Sequence, residues 1–154
     1  MTIALEIPGH ARLELEHLLL DVNGTLTDRG VLLEGVAERL AALATRLSVQ
    51  LVSADPFGTL REIAERLGAV WTVAADGEEK AALTRRLGPH ACAVIGNGAN
   101  DAAALRAAAL GIAVVGPEGL SADAMHAADV VCGSILAALD LLLDERALLA
   151  TLRR

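Results

Sequence analysis

Asp21 stands where an apolar run, His17-Leu18-Leu19-Leu20, gives way to the turn Asn23-Gly24. A strand ending there carries its carboxylate to the sheet's carboxyl edge, which in open α/β sheets is where ligands bind. A nucleophilic carboxylate would sit in this place, although the same residue could instead close an Asx turn over backbone amides. Three other strand ends carry polar residues suited to the same reaction. Ser53 follows Val49-Gln50-Leu51-Val52 and could offer its hydroxyl to a ligand or simply start a turn. Lys80 is the sole lysine among 13 basic residues. Its compact ammonium suits a phosphoryl group or a carboxylate as a point charge, where arginine would impose a fork; the bland alternative is a solvated lysine beside Glu78 and Glu79. The loop Gly96-Asn97-Gly98-Ala99-Asn100-Asp101 has G-x-G without a third glycine and follows the fourth strand, a poor dinucleotide fingerprint. It can turn Asn97, Asn100 and Asp101 back toward Asp21, or Asp101 can cap the next helix.

The elements that must hold these groups follow from periodicity. Strands are expected at Ile3–Glu6, Leu13–Leu20, Val49–Val52, Val70–Ala74, Cys92–Ile95, Ile112–Val115 and Val130–Cys132. Helices are expected at Val36–Leu47, Thr59–Leu67, Glu78–Leu87, Asp101–Leu110, Ala122–Ala127 and Ile135–Leu143, with Arg146–Leu152 a continuation or a frayed tail. Pro8-Gly9 marks a turn, Gly68 a helix stop, and Thr27–Leu33 a small hairpin beside Asp21. Short apolar strands alternating with helices imply right-handed βαβ units, hence an α/β, doubly wound, mainly parallel sheet of Rossmann-like form.

Composition narrows the function classes. The 154 residues fit a single domain, 1–154, that buries about 70% of its unfolded surface. With one Phe, one Trp and no Tyr there is little to stack on bases, and a net charge of −7 argues against nucleic acid and anionic membranes. No segment reaches the roughly 18 apolar residues of a membrane span, and the first residues lack a basic, then apolar, leader. A soluble, cytoplasmic protein is expected. Cys92 and Cys132 lie in apolar runs without metal or redox spacing and are expected to be buried free thiols.

Taken together, the four motifs resemble the haloacid-dehalogenase-like (HAD) phosphohydrolase superfamily, over Leu18 to about Cys132, and within it the phosphorylation domain of P-type ATPases in soluble form. Asp21-Val22-Asn23-Gly24-Thr25-Leu26-Thr27 is similar to the ATPases' Asp-Lys-Thr-Gly-Thr-Leu-Thr, and Ser53-Ala54-Asp55 to their Thr-Gly-Asp. Lys80 matches the third motif, and Gly96–Asp101 resembles Gly-Asp-Gly-x-Asn-Asp. The resemblance implies an aspartyl-phosphate on Asp21, with Asn23, Ser53, Lys80 and Asp101 as the other catalytic positions. It implies phosphate binding by Asn23, Gly24, Ser53, Ala54, Lys80 and Asn100. Mg²⁺ is the implied cofactor, held by Asp21, the Asn23 carbonyl, Asn97 and Asp101. The implied substrate is a phosphate ester or a phosphorylated macromolecule.

Two positions depart from the pattern. Phosphatases of the family carry an aspartate as general acid/base where this chain has Asn23, and an amide cannot exchange that proton; P-type ATPases also lack it. Asn97 replaces a metal-ligating aspartate, which removes one negative charge. The expected activity is therefore a low-turnover phosphohydrolase, and the alternative is a catalytically silent phospho-binding or regulatory module. A phosphorelay receiver fits poorly, because no Lys-Pro ends a later strand. The short spacings between motifs leave no room for a cap domain. Capless relatives act on large substrates or borrow a neighbouring subunit, which makes the Thr27–Leu33 hairpin a candidate homo-oligomer contact.

Overall fold

A computed structural model describes residues 1–154. The chain begins with a two-stranded antiparallel ribbon, β1 (Ile3–Leu5) and β2 (Leu13–Leu15), closed by a turn at Pro8-Gly9. It steps into β3 (His17–Asp21) and then forms a hairpin, β4 (Thr27–Asp28) and β5 (Val31–Leu32). Alternation follows: α1 (Val36–Leu43), β6 (Ser48–Ser53), α2 (Leu60–Leu67), β7 (Val70–Val73), α3 (Gly77–Leu87) and β8 (Cys92–Gly96). The rest is α4 (Ala102–Ala107), β9 (Leu110–Val114), α5 (Ala122–Ala127), β10 (Val130–Cys132), α6 (Ile135–Leu143) and α7 (Glu145–Leu152).

Six strands form one parallel sheet in the order β10-β9-β8-β3-β6-β7. The direction of winding reverses at β3, so the crevice beside its carboxyl end is the topological switch point where such sheets bind ligands. Register sets the level of the site: Asp21 lies opposite Val52, and Leu20 opposite Ile95. Asp21, Ser53 and the loop after Gly96 therefore emerge side by side.

Burial explains why β3 is central. Leu18 and Leu20 enter a large apolar cluster with residues of α1, α2, α6 and α7, while Leu19 joins a smaller one with residues of α3, α4 and α5. A strand covered on both faces must be apolar at consecutive positions, and this one is. No helix is long and apolar enough to cross a membrane.

Several boundaries differ from the sequence expectation, each for a local reason. The expected strand Leu13–Leu20 is two strands, because the alternating burial of Leu13-Glu14-Leu15 suits a half-exposed ribbon whereas Leu18–Leu20 is buried throughout. Glu16 is the step between sheets: its N–H donates to the Ala91 carbonyl and its own carbonyl accepts from Ser48 N–H. Helix α1 ends at Leu43 rather than Leu47, where Thr45 Oγ1 donates to the Ala42 carbonyl and favours a turn. The expected helix from Asp101 opens as a 3₁₀ turn, Ala99–Asp101, before α4, and β9 starts two residues early, at Leu110. Arg146–Leu152 is neither a continuation nor frayed: Asp144 Oδ1 accepts from Arg146 and Ala147 N–H and starts a separate helix, α7, which buries Leu148. Gly68 ends α2 in the left-handed conformation, as expected of a C-cap. Both cysteines are free, but only Cys92 is buried; Cys132, on edge strand β10, is half-buried.

Candidate active site

The structure brings Asp21, Asn23, Ser53, Ala54, Lys80, Asn97 and Asn100 to the wall of one cavity of about 520 Å³ at the carboxyl end of the sheet. Asp101 lies beneath it, almost wholly buried. Gly24 belongs to the adjoining cavity, around the hairpin.

Lys80 is placed by the start of α3. Asp76 caps that helix by accepting from Glu79 N–H, and the Glu79 carboxylate accepts from the N–H of Ala75, the residue before the cap. The fourth helical residue then points inward under the sheet edge. Its Nζ donates to Asp21 Oδ1 and Asp101 Oδ1, each at 2.8 Å, with 5% of the side chain exposed. This is no solvated lysine. Burial by itself would lower the ammonium's pKa, but two carboxylates in contact outweigh that and raise it, so the cation is held firmly.

Asp101 does not cap α4 with its side chain. Its Oδ2 accepts from the N–H groups of Asn97 (3.1 Å) and Gly98 (3.0 Å), folding the loop back on itself. Together with Lys80 these bonds occupy three of roughly four lone-pair directions of the carboxylate. Gly96 makes this possible, since a Cβ there would overlap the Asp101 carboxyl. Asn97 is oriented as firmly: its Nδ2 donates to the Gly119 carbonyl, which turns Oδ1 toward Thr25.

Thr25 is one of the residues that sequence reasoning left out of the site. It is fully buried, and its Oγ1 lies 2.8 Å from Asp21 Oδ2 and 3.0 Å from Asn97 Oδ1. One hydroxyl hydrogen cannot serve two acceptors fully, so acceptor capacity is left over between Asp21 and Asn97. Glu118, Gly119 and Ser121 were also missed; they come from the loop after β9 and line the cavity. The turn residues Gly116-Pro117 at the end of an apolar strand are the only signal that pointed there.

Ser53 Oγ accepts from Asn23 Nδ2 (3.1 Å) and from Asp55 N–H (2.9 Å). With both lone pairs filled, its own hydrogen is left to donate to a group in the cavity. Asn23 Oδ1 is the one buried side-chain polar atom without a partner.

Electrostatically, the buried cluster has one cation and two carboxylates. Burial pushes the Asp21 carboxyl up from 3.8 to about 6, and neighbouring Asp101 adds to the rise, while Lys80 and the bond from Thr25 work against it. Asp21 is thus mostly ionised at pH 7, but a phosphate dianion arriving beside it would be repelled unless a cation came too. The residues suit a hard cation: the free capacity is all oxygen, on Asp21, Asn97 and the main-chain carbonyl of Asn23. No cluster of three His, Cys, Asp or Glu side chains exists to form a denser metal site.

Comparisons with known proteins bear on the family and the fold. The sequence model of haloacid dehalogenase-like hydrolases matches residues 6–109. An uncharacterized protein of Methanocaldococcus jannaschii is 49% identical over 59 residues, 38% of this chain; the match spans 63% of that relative's length. Among solved structures, the 3-deoxy-D-manno-octulosonate 8-phosphate phosphatase of Moraxella catarrhalis, in complex with magnesium ion, phosphate ion and a KDO molecule, superposes with a TM-score of 0.69 at 21% identity, over 90% of this chain and 94% of that one. A zinc-transporting PIB-type ATPase in its E2.Pi state superposes with a TM-score of 0.66 at 27% identity, over 78% of this chain and 20% of that one.

Proposed function

The chain belongs to the haloacid dehalogenase-like hydrolases and has their core without a cap, and from this we propose that it hydrolyses phosphate monoesters through an aspartyl-phosphate on Asp21. The observation that carries the reading is the buried ammonium of Lys80, held between Asp21 and Asp101 at the floor of a polar cavity. An ionised carboxylate beside a fixed cation can approach a phosphoryl group whose charge the same cation offsets.

In the first step an Asp21 oxygen attacks phosphorus while the bond to the ester oxygen breaks, and the electron pair leaves with that oxygen. Lys80 faces the charge gathered on the phosphoryl oxygens, and Ser53 donates its spare hydrogen to one of them. In the second step water attacks the same phosphorus and frees the Asp21 carboxylate and inorganic phosphate. Both steps need a proton moved at the apical oxygen, and the amide of Asn23 can neither give nor take one. General acid–base help contributes typically about 10²–10⁴-fold, so turnover is low. Mg²⁺ would be held by Asp21, Asn97 and the Asn23 carbonyl, with Asp101 adding charge from beneath; when bound it supplies the positive charge that lets a dianion enter. The related sugar-phosphate phosphatase crystallised with magnesium and phosphate supports that choice of ion.

The lack of an exchangeable proton on Asn23 also favours a second reading, a module that binds or holds a phosphoryl group without turning it over. One experiment separates the two. With Mg²⁺ and beryllium fluoride, an aspartyl-phosphate mimic, the melting temperature should rise, because a ligand bound only to the native state stabilises it. Lys80→Ala and Asp21→Ala should abolish the rise. A rise accompanied by hydrolysis of 4-nitrophenyl phosphate that Asp21→Asn removes establishes the enzyme; a rise without turnover on any phosphate ester establishes the binding module; no rise refutes both.

A further inference from the structure

Beside the catalytic cavity lies a second one of about 470 Å³, and the two share Asn23 and Glu118. A group bound to Asp21 would therefore extend naturally into it. The walls of this second cavity differ in kind from the first. Phe57, the only phenylalanine, and Val31 both line it and are 66% and 69% exposed, an apolar contact surface without an intramolecular partner. Arg29 lines it too and takes part in none of the chain's salt bridges.

The backbone beneath Arg29 is unusual. Arg29 and Gly30 form the two-residue loop between β4 and β5, with φ of 50° and 82°. Such turns favour Asn-Gly or Gly-Gly, because a side chain with a Cβ is strained in the left-handed region. Only one other non-glycine residue is left-handed, Asp55 (φ 56°), two residues before Phe57. Asp55 caps α2 by accepting from Leu60 N–H, whereas Arg29 lines the cavity itself, and strain of this sort gathers where a side chain is needed for its chemistry. Glu118 complements Arg29. It lies where the two cavities meet, with its carboxylate over Gly24, where an added Cβ would overlap it. A second anion beside the phosphoryl group would meet that carboxylate, whereas one at the hairpin end would meet a free guanidinium.

We propose that this cavity is the leaving-group subsite, and that the substrate is a small phosphate monoester whose carbon skeleton packs on Phe57 and Val31 and whose far end carries a carboxylate bound by Arg29. The inference rests on the phosphate-ester reading of the first cavity and adds the substrate's chemical class. Glu118 contributes by rejecting esters whose second anion lies next to phosphorus.

The test uses the intact chain with Mg²⁺ and two non-hydrolysable probes, benzylphosphonate and 4-carboxybenzylphosphonate, titrated calorimetrically. The carboxylated probe should bind about five-fold more tightly, the size an exposed arginine–carboxylate pair can supply. Arg29→Gln should make the two affinities equal. Arg29→Gly should also erase the preference while raising the melting temperature, since it relieves the left-handed strain. Phe57→Ala should weaken both probes alike. Equal affinities in the unaltered protein, a preference that survives Arg29→Gln, or no binding of either probe would overturn the subsite. Failure of the hydrolase reading is distinguishable: a carboxylate preference without turnover of any ester supports the subsite and removes only hydrolysis, whereas turnover of 4-nitrophenyl phosphate without the preference removes only the subsite.

Discussion

Asp21→Asn should make the protein more stable at neutral pH while destroying its proposed nucleophile. The Asp21 carboxyl is pushed from 3.8 to about 6, first by burial and then by Asp101. The unfolded chain therefore gives up this proton near pH 4, while the folded chain keeps it until about pH 6. Between those values the folded state binds more protons, so stability falls as pH rises through the window, by linkage about 3 kcal/mol in total. The amide removes this penalty. Its oxygen can still accept from Lys80, which remains paired with Asp101. Its nitrogen can donate to Thr25 Oγ1, freeing the hydroxyl hydrogen for Asn97 Oδ1 and ending the sharing seen in the unaltered site. The rise to about 6 is already net of the attraction to Lys80, so only the amide's poorer match to the protonated acid detracts, and about 2 kcal/mol is expected, or roughly 4–8 °C in melting temperature for a chain of this size. Urea unfolding of both proteins without added metal, at pH 7.5 and pH 4.5, measures it. The advantage of Asp21→Asn should be present at pH 7.5 and shrink toward pH 4.5. An equal difference at both pH values, or a less stable variant at pH 7.5, would refute the electrostatic account of the site.

Three further outcomes are expected. Asn23→Asp should speed release of the aspartyl-phosphate by about ten- to a hundred-fold in single-turnover measurements. It should also raise KM, because Ser53 would then spend its hydrogen on the new carboxylate. Asn97→Asp, which returns a negative charge beside Thr25, should tighten Mg²⁺ in a calorimetric titration; unchanged affinity would place the ion elsewhere. Asp144→Ala should cost about 1 kcal/mol in urea unfolding, since it removes the cap of α7, with no effect on Mg²⁺ affinity.

Much of the site was legible because its signals are local. A strand ending in Asp21, a glycine turn after it, a lone lysine in a helix's first turn and a glycine-flanked Asn/Asp loop are each written in a few consecutive residues, and their order along the chain supports one reaction. The alternation of apolar runs with amphipathic segments determined the α/β class in the same way. α5, β10 and α6 begin and end where periodicity places them, and in the structure Ser121 and Ser134 cap the two helices.

Other features depend on contacts between distant residues, which no local pattern encodes. Lys80 reads the same whether solvated or buried; only the packing of α3 under β3 and β8 sets it between two carboxylates from elements 59 and 21 residues away. Thr25 looks like a turn residue until the β8 loop brings Asn97 to it across 72 positions. Glu118 acquires a place at the site because β9 lies two strands from β3, which puts the loop after it over Gly24. The division of Leu13–Leu20 into two strands was hidden because its apolar side chains suit either one long strand or two short ones. The sequence by itself determined which chemical groups stand at strand ends; strand order and register decided which of them meet, because those are set by burial of both sheet faces over the whole chain.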